Sequence, residues 1–350
     1  MKSLVIFYSQ TGNTKKIALA IGEGIRRRTG QCDVKSLRDV KPEDWLEYDL
    51  VGIGSCVWSS SPITNVIWHI NALPEAVRGK HAFFFCTHGI LPGRCIIRGV
   101  QPLLDKGLTV LGWKDWYGQA SVPGHGKPWF SDGHPDEYDL EDARAFGEAM
   151  ARHSEKVNEG RTDIIPKLHS KETSDEIYGV GHPFIFKPEE MPAAPEIPEE
   201  DQAPEEPYIL PYPTTMEYVC QIEGVENVEK GKGRLSEQLR INPEKCIGCH
   251  RCVKACWCEN IVAVEGEKVP VIRSHNCELC LFCEGVCPTG ALEFNFRKPD
   301  PEMAKRPGMS TQLDLAEAVG RFRRILPEEE VSILTPWEMV TSHPRHKEIP

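Results

Sequence analysis

Two cysteine runs near the carboxyl end constrain this chain more than any other feature: Cys246-x2-Cys249-x2-Cys252-x3-Cys256 and Cys277-x2-Cys280-x2-Cys283-x3-Cys287-Pro288. Three thiolates at this spacing wrap one face of a cubic iron–sulfur cluster, and soft thiolates are the ligands such iron prefers. The fourth thiolate does not come comfortably from the same turn. In the two-cluster pattern it crosses over, so the last cysteine of each run serves the other cluster. One [4Fe–4S] cluster then takes Cys246, Cys249, Cys252 and Cys287, and a second takes Cys277, Cys280, Cys283 and Cys256. A zinc site accounts for a single CxxC pair but not for eight cysteines with both x3 returns.

The distribution of thiols supports this reading. Nine of the fourteen cysteines fall between Cys246 and Cys287, and the first 245 residues hold five. A secreted chain would scatter its pairs to staple loops, whereas crowding of this kind points to cluster ligation in a reducing compartment. Met1-Lys2 runs straight into the apolar stretch Ser3–Tyr8 with no secretory core ahead of a cleavage site, and no run is apolar over the length of a membrane helix. A cytoplasmic protein without a membrane span is expected. The formal net charge of -11 argues against a nucleic-acid binder and favours redox partners with a basic docking surface.

Lys245-Cys246-Ile247-Gly248-Cys249 and Cys287-Pro288-Thr289-Gly290-Ala291-Leu292 resemble the bacterial two-cluster ferredoxins, which implies a small α+β ferredoxin-like domain over residues 240–298. The chain departs from that family after Cys256, where Trp257 replaces the usual proline and a further thiol stands at Cys258. Cys256 is taken as the ligand because its spacing matches the second run. Cys258 is then a buried thiol or a group near the cluster.

Residues 1–158 alternate short β-branched runs with helical patterns, as an open parallel sheet does. Strands are expected at Ser3–Tyr8, Cys32–Leu37, Leu50–Gly54, His81–Cys86 and Leu108–Leu111, with helices at Thr14–Arg28, Ile63–Leu73, Arg94–Lys106 and Leu140–Val157. At the first strand–helix junction lies Ser9-Gln10-Thr11-Gly12-Asn13-Thr14. Small polar side chains and backbone N–H groups at a helix start cradle phosphate, and Gly12 permits the tight turn. The loop lacks a Walker ending, and no GxGxxG follows a strand, so a nucleoside triphosphate and a nicotinamide are both disfavoured.

This loop resembles the FMN phosphate loop of flavodoxins. The resemblance implies a doubly wound α/β sheet of order 2-1-3-4-5 with bound FMN, its ring beyond the carboxyl ends of the strands. Trp58, in the loop expected after the third strand, is a candidate to flank the ring. Thr87-His88-Gly89, after the fourth, offers backbone for the ring edge. Cys32, Cys56, Cys86 and Cys95 have no metal spacing and are taken as structural.

Between Lys187 and Pro207 stand eight acidic residues and six prolines, so residues 159–239 are expected to form a solvated, semi-rigid tether. A strap using Phe184, Phe186, Tyr208 and Tyr212 is the alternative. Residues 299–350 form a tail with one helix, capped by Ser310 or Thr311, whose Leu313, Val319, Phe322, Ile325 and Leu326 pack on the body before Pro327 stops it.

The domain order resembles the flavodoxin–ferredoxin fusion proteins of anaerobes. That implies an electron carrier that moves low-potential electrons between FMN and two clusters, to or from a partner redox enzyme. An FMN-dependent reductase of a small molecule, fed by the clusters, is the alternative, and a redox sensor is the third reading.

Overall fold

The computed structural model describes residues 1–58, 60–120, 129, 131–178, 218, 221–222, 239–256, 260–272, 283, 286–294, 322–323 and 325. They fall into two compact units, the first built from residues 1–121, 130–183 and 312–327, the second from residues 122–129, 184–311 and 328–350.

In the first unit a parallel sheet runs in the order β2-β1-β3-β5-β6. Its strands are β1 (Ser3–Phe7), β2 (Asp33–Ser36), β3 (Leu50–Trp58), β5 (His81–His88) and β6 (Thr109–Tyr117). The two-residue β4 (Ser61–Pro62) folds back antiparallel on the end of β3. Skipping β4, the order is the expected 2-1-3-4-5. The strand ends differ from expectation: β3 continues to Trp58, β5 to His88 and β6 to Tyr117. Trp58, Thr87 and His88 therefore stand in paired strands and not in loops. Their polar and aromatic side chains hid these extensions, because pairing with β4 and β6 decides the strand end, not propensity.

Every residue of β5 is buried, as a central parallel strand covered on both faces should be. Its Phe83 and Phe85 lie opposite Gly52 and Gly54 of β3. A Cβ on either glycine would fall inside the facing ring. The Gly-Ile-Gly of β3 is thus a packing device for phenylalanine and has nothing to do with nucleotide binding.

The helices are α1 (Asn13–Thr29), α2 (Thr64–Asn71), α3 (Cys95–Asp105), α4 (Glu137–Asn158) and α5 (Lys171–Tyr178). In α1, Ile17, Ala18, Ile21 and Ile25 form one buried stripe, and Gly30 ends the helix in the left-handed region with its N–H on the Arg26 carbonyl. Asp136 caps α4, accepting from the amides of Tyr138 and Asp139, while Asp139 accepts from the amide of Asp136. α5 corrects the expectation of an extended tether from residue 159, since Arg94 clamps its Asp175 at 2.8 and 2.7 Å and holds it on the first unit. Phe184, Phe186, Tyr208 and Tyr212 lie outside the described residues, as does most of the expected tail helix.

One buried group in this unit sets a pH response. His69 of α2 accepts the indole N–H of the fully buried Trp45 at 3.0 Å. Burial, against the opposing pull of Asp44 and Glu43, pushes its imidazole down to about 4. The folded protein holds the ring neutral while the unfolded chain protonates near pH 6.5, so stability falls as pH drops through the window from about 6.5 to 4. The loss is up to about 3 kcal/mol. His69→Gln keeps an acceptor for Trp45 and removes the proton site. Urea melts at pH 7 and 5 should show a smaller drop for this variant than for the parent protein, and equal drops would refute the assignment.

The second unit contains β7 (Leu239–Ile241), α6 (Arg251–Ala255), β8 (Ile261–Val262), β9 (Val271–Ile272) and β10 (Leu292–Phe294). β7 pairs antiparallel with β10, and β8 with β9. Among the described residues its buried cluster is Cys246, Ile261, Cys283, Cys287, Ala291 and Leu292, three of the six being cysteines. A small domain whose thiols sit in its core takes folding energy from ligation. Among the described residues no helix is long and apolar enough to cross a membrane.

Candidate functional site

The cysteine turns are built by backbone of unusual sign. Gly248 has φ +70° and His250 φ +53°, which bend the chain so that Cys246 and Cys249 follow one another around a turn that leads into α6, whose first turn carries Cys252. The pairing of β7 with β10 then carries Cys287 to the same place. One cavity is lined by Cys246, Cys249, Cys252 and Cys287, with Ile241, Pro270 and Leu292 as its apolar wall. These four are the thiols that the spacing assigns to one cluster, drawn from both ends of the block.

Hydrogen bonding prepares two of the sulfurs alike. The amide of Ala291 donates to Cys287 Sγ at 3.2 Å, and the amide of Asn260 donates to Cys256 Sγ at 3.2 Å. Both bonds span four residues, so the last cysteine of each run accepts an equivalent amide bond. Burial alone would raise the Cys287 thiol, but the backbone amides of Leu292, Thr289 and Ala291 outweigh it and hold it below its ordinary value. Cys252, with more burial and fewer donors, is pushed up to about 11. His250 lines the same cavity, and its Nε2 is buried with no hydrogen-bond partner. Converging thiols with an orphaned donor beside them fit an iron–sulfur cluster. Cys277, Cys280 and Cys258 lie outside the described residues.

The amino-terminal loop fits a phosphate on independent grounds. Gly12 takes φ +92° at the start of α1, and the space where its Cβ would stand is open. No side chain caps the helix, and no acidic residue stands in its first turn. Lys15 and Lys16 stand there instead, exposed, where the helix dipole disfavours cations, and an anion in front of the helix reverses that sign. Ser9 Oγ accepts the Gly12 amide at 3.1 Å and fixes the turn. Gln10 Nε2 is buried without a partner. The fit to the phosphate end of FMN rests on these donors and on the open space at Gly12.

Two long-range bonds tie this loop to the sheet, and neither was visible in the sequence. Thr14 Oγ1 meets Thr87 Oγ1 at 2.7 Å, and Asn13 Nδ2 donates to the Gln119 carbonyl at 2.9 Å. Thr87 is thus committed by its hydroxyl to the loop. His88 is buried, its Nε2 on Asp115 Oδ2 at 2.9 Å, its ring edge-on to Tyr117 at 4.4 Å, and its carbonyl accepting the Gly118 amide. Its backbone oxygen is therefore taken up by the sheet. Trp58 is half-buried at the end of β3, and Gly89 is half-buried just past β5. Trp58 sits on the β3–β4 hairpin, whose turn residue Ser60 has φ +59° and is held through its carbonyl by the buried Arg98 at 2.8 Å. Cys32 is inert by the same physics that buries it, its thiol pushed up to about 12.

Comparison with known proteins places both halves. Residues 4–101 match the flavodoxin domain, and residues 245–291 match the 4Fe-4S dicluster domain. A ferredoxin of Methanothermococcus thermolithotrophicus is 41% identical over 56 residues, covering 15% of this chain and 92% of that protein. The flavodoxin-like domain-containing protein BilS of Clostridioides difficile is 33% identical over 116 residues, 32% of this chain and 63% of that protein. An NAD(P)H dehydrogenase (quinone) of Archaeoglobus fulgidus is 26% identical over 194 residues, 44% of this chain and 97% of that protein.

Proposed function

Since this chain belongs to the ferredoxins through its dicluster block and carries a flavodoxin domain ahead of it, we propose that it is an electron carrier joining FMN to two [4Fe–4S] clusters and serving a partner redox enzyme. The observation that carries the reading is the convergence of Cys246, Cys249, Cys252 and Cys287 on one cavity in a chain whose first loop is shaped for a phosphate. When bound, FMN exchanges one or two electrons and each cluster exchanges one, so the pair converts between the two.

The chain's own residues hold and screen these groups. Ser9, Gln10, Thr11, Gly12, Asn13 and Thr14 take the flavin phosphate, with Trp58 and the Thr87–Gly89 segment toward its ring. Cys277, Cys280, Cys283 and Cys256 hold the second cluster, Cys256 being preferred to Cys258 because its sulfur accepts the same amide bond as Cys287. The formal charge of -11 suits a partner that presents a basic face.

Anaerobic reconstitution of the full chain should yield about eight irons and one FMN, with electrons passing between the centres. Fewer than about four irons, or no flavin uptake, would remove the basis of the reading. A second reading, an FMN-dependent reductase of a small acceptor fed by the clusters, is favoured by the similarity to the NAD(P)H dehydrogenase (quinone) of Archaeoglobus fulgidus. Turnover of added quinone without any partner protein, slowed by Trp58→Ala, separates it from the carrier.

A further inference from the structure

The chain leaves the first unit after α5 and comes back to it beyond the cluster block. Phe322 is 2% exposed. Its ring packs at a tilt against Tyr117 and His134, with centroids 4.7 and 5.9 Å away. Arg323 pairs with Asp136, the cap of α4, and lies over the Tyr138 ring at 4.8 Å. Ile325 packs on Gly133. The Arg323 carbonyl accepts from His134 Nε2 at 2.8 Å, while His134 Nδ1 faces Asp139 at 2.6 Å.

This contact is wired to the phosphate loop. The His134 carbonyl accepts the Gln119 amide at 2.8 Å, and the Gln119 carbonyl accepts Asn13 Nδ2 at 2.9 Å. Gly118, next to Gln119, approaches the Asn13 side chain so closely that a Cβ there would stand 2.9 Å from it. From the tail to the first residue of α1 the path is Arg323, His134, Gln119, Asn13, with a hydrogen bond at each step.

We propose that the surface formed by Tyr117, Gly133, His134, Asp136 and Tyr138 is a docking site for the chain's own Phe322, Arg323 and Ile325, and that docking there and FMN binding favour each other. The proposal rests on the FMN reading. A docked segment fixes His134 and through Gln119 the start of α1, so the ordering of the loop is already met before the phosphate arrives, and the second event costs less than it would alone. One consequence follows for the first unit. A partner that binds Tyr117 and His134 would compete with the segment and loosen the flavin.

The test uses the full chain prepared without air. Phe322→Ala empties the aromatic seat, and Arg323→Glu sets a carboxylate against Asp136 on an exposed residue whose change leaves the core intact. Flavin fluorescence quenching should show an FMN Kd raised about five- to tenfold in both variants at unchanged iron content. In the unmodified protein, saturation with FMN should slow amide exchange around Phe322 by the same factor, since coupling is reciprocal. Variants that bind FMN as tightly as the parent, or exchange indifferent to FMN, overturn the proposal and leave the FMN reading standing. A parent protein that takes up no flavin overturns both.

Discussion

Gly147→Ala is expected to destabilise the flavodoxin unit by about 3 kcal/mol or more, although alanine is the better helix former by about 1 kcal/mol. The reason is the crossing of α1 and α4. A Cβ on Gly147 would fall on the backbone carbonyl of Ile21, and one on Gly24 would fall on that of Arg144. Both obstacles are backbone in the middle of long helices, so neither can turn aside as a side chain would, and the two helices must separate. Separation opens the cluster of Ile17, Ile21, Ile25, Ala143 and Met150 that they share with the sheet. Thermal melting of the anaerobic protein should show the flavodoxin transition lowered by roughly 10 °C. A change of less than about 1 kcal/mol would show that the helices do not touch at these glycines.

The second large effect concerns the thiols. Cys256→Ala and Cys287→Ala should each lower bound iron from about eight to about four per chain, while Cys258→Ser should leave it near eight. The two alanine variants should behave alike because the two sulfurs accept equivalent amide bonds, from Asn260 and Ala291. Loss of iron should also carry loss of structure in the cluster block, since three of the six residues in its buried cluster, among those described, are cysteines and ligation supplies much of the folding energy of such a domain. Iron analysis and circular dichroism on the same samples decide the matter. Full iron in Cys256→Ala together with depleted iron in Cys258→Ser would transfer the ligand role to Cys258.

Much of this protein was legible in its sequence, though unevenly. The alternation of strands and helices, the glycine-bearing first loop and the spaced cysteines are readable because each depends on residues close in the chain, whereas the strand order came from the resemblance to flavodoxins. The ends of β3, β5 and β6 were not readable, and so Trp58, Thr87 and His88 were expected in loops. Ser, Cys and His carry little strand signal of their own, and a neighbouring strand made them part of the sheet. The burial of His88 against Asp115 and the engagement of Thr87 with Thr14 likewise join residues far apart in the chain.

By itself the sequence determined which atoms are available to bind iron and phosphate, since ligand spacing along a turn and the glycine that permits it are covalent facts. Tertiary structure alone decided which other distant groups meet: Thr14 with Thr87, Gly24 with Arg144, and Phe322 with His134. Such meetings depend on how whole elements pack and pair, and chain order carries no record of them.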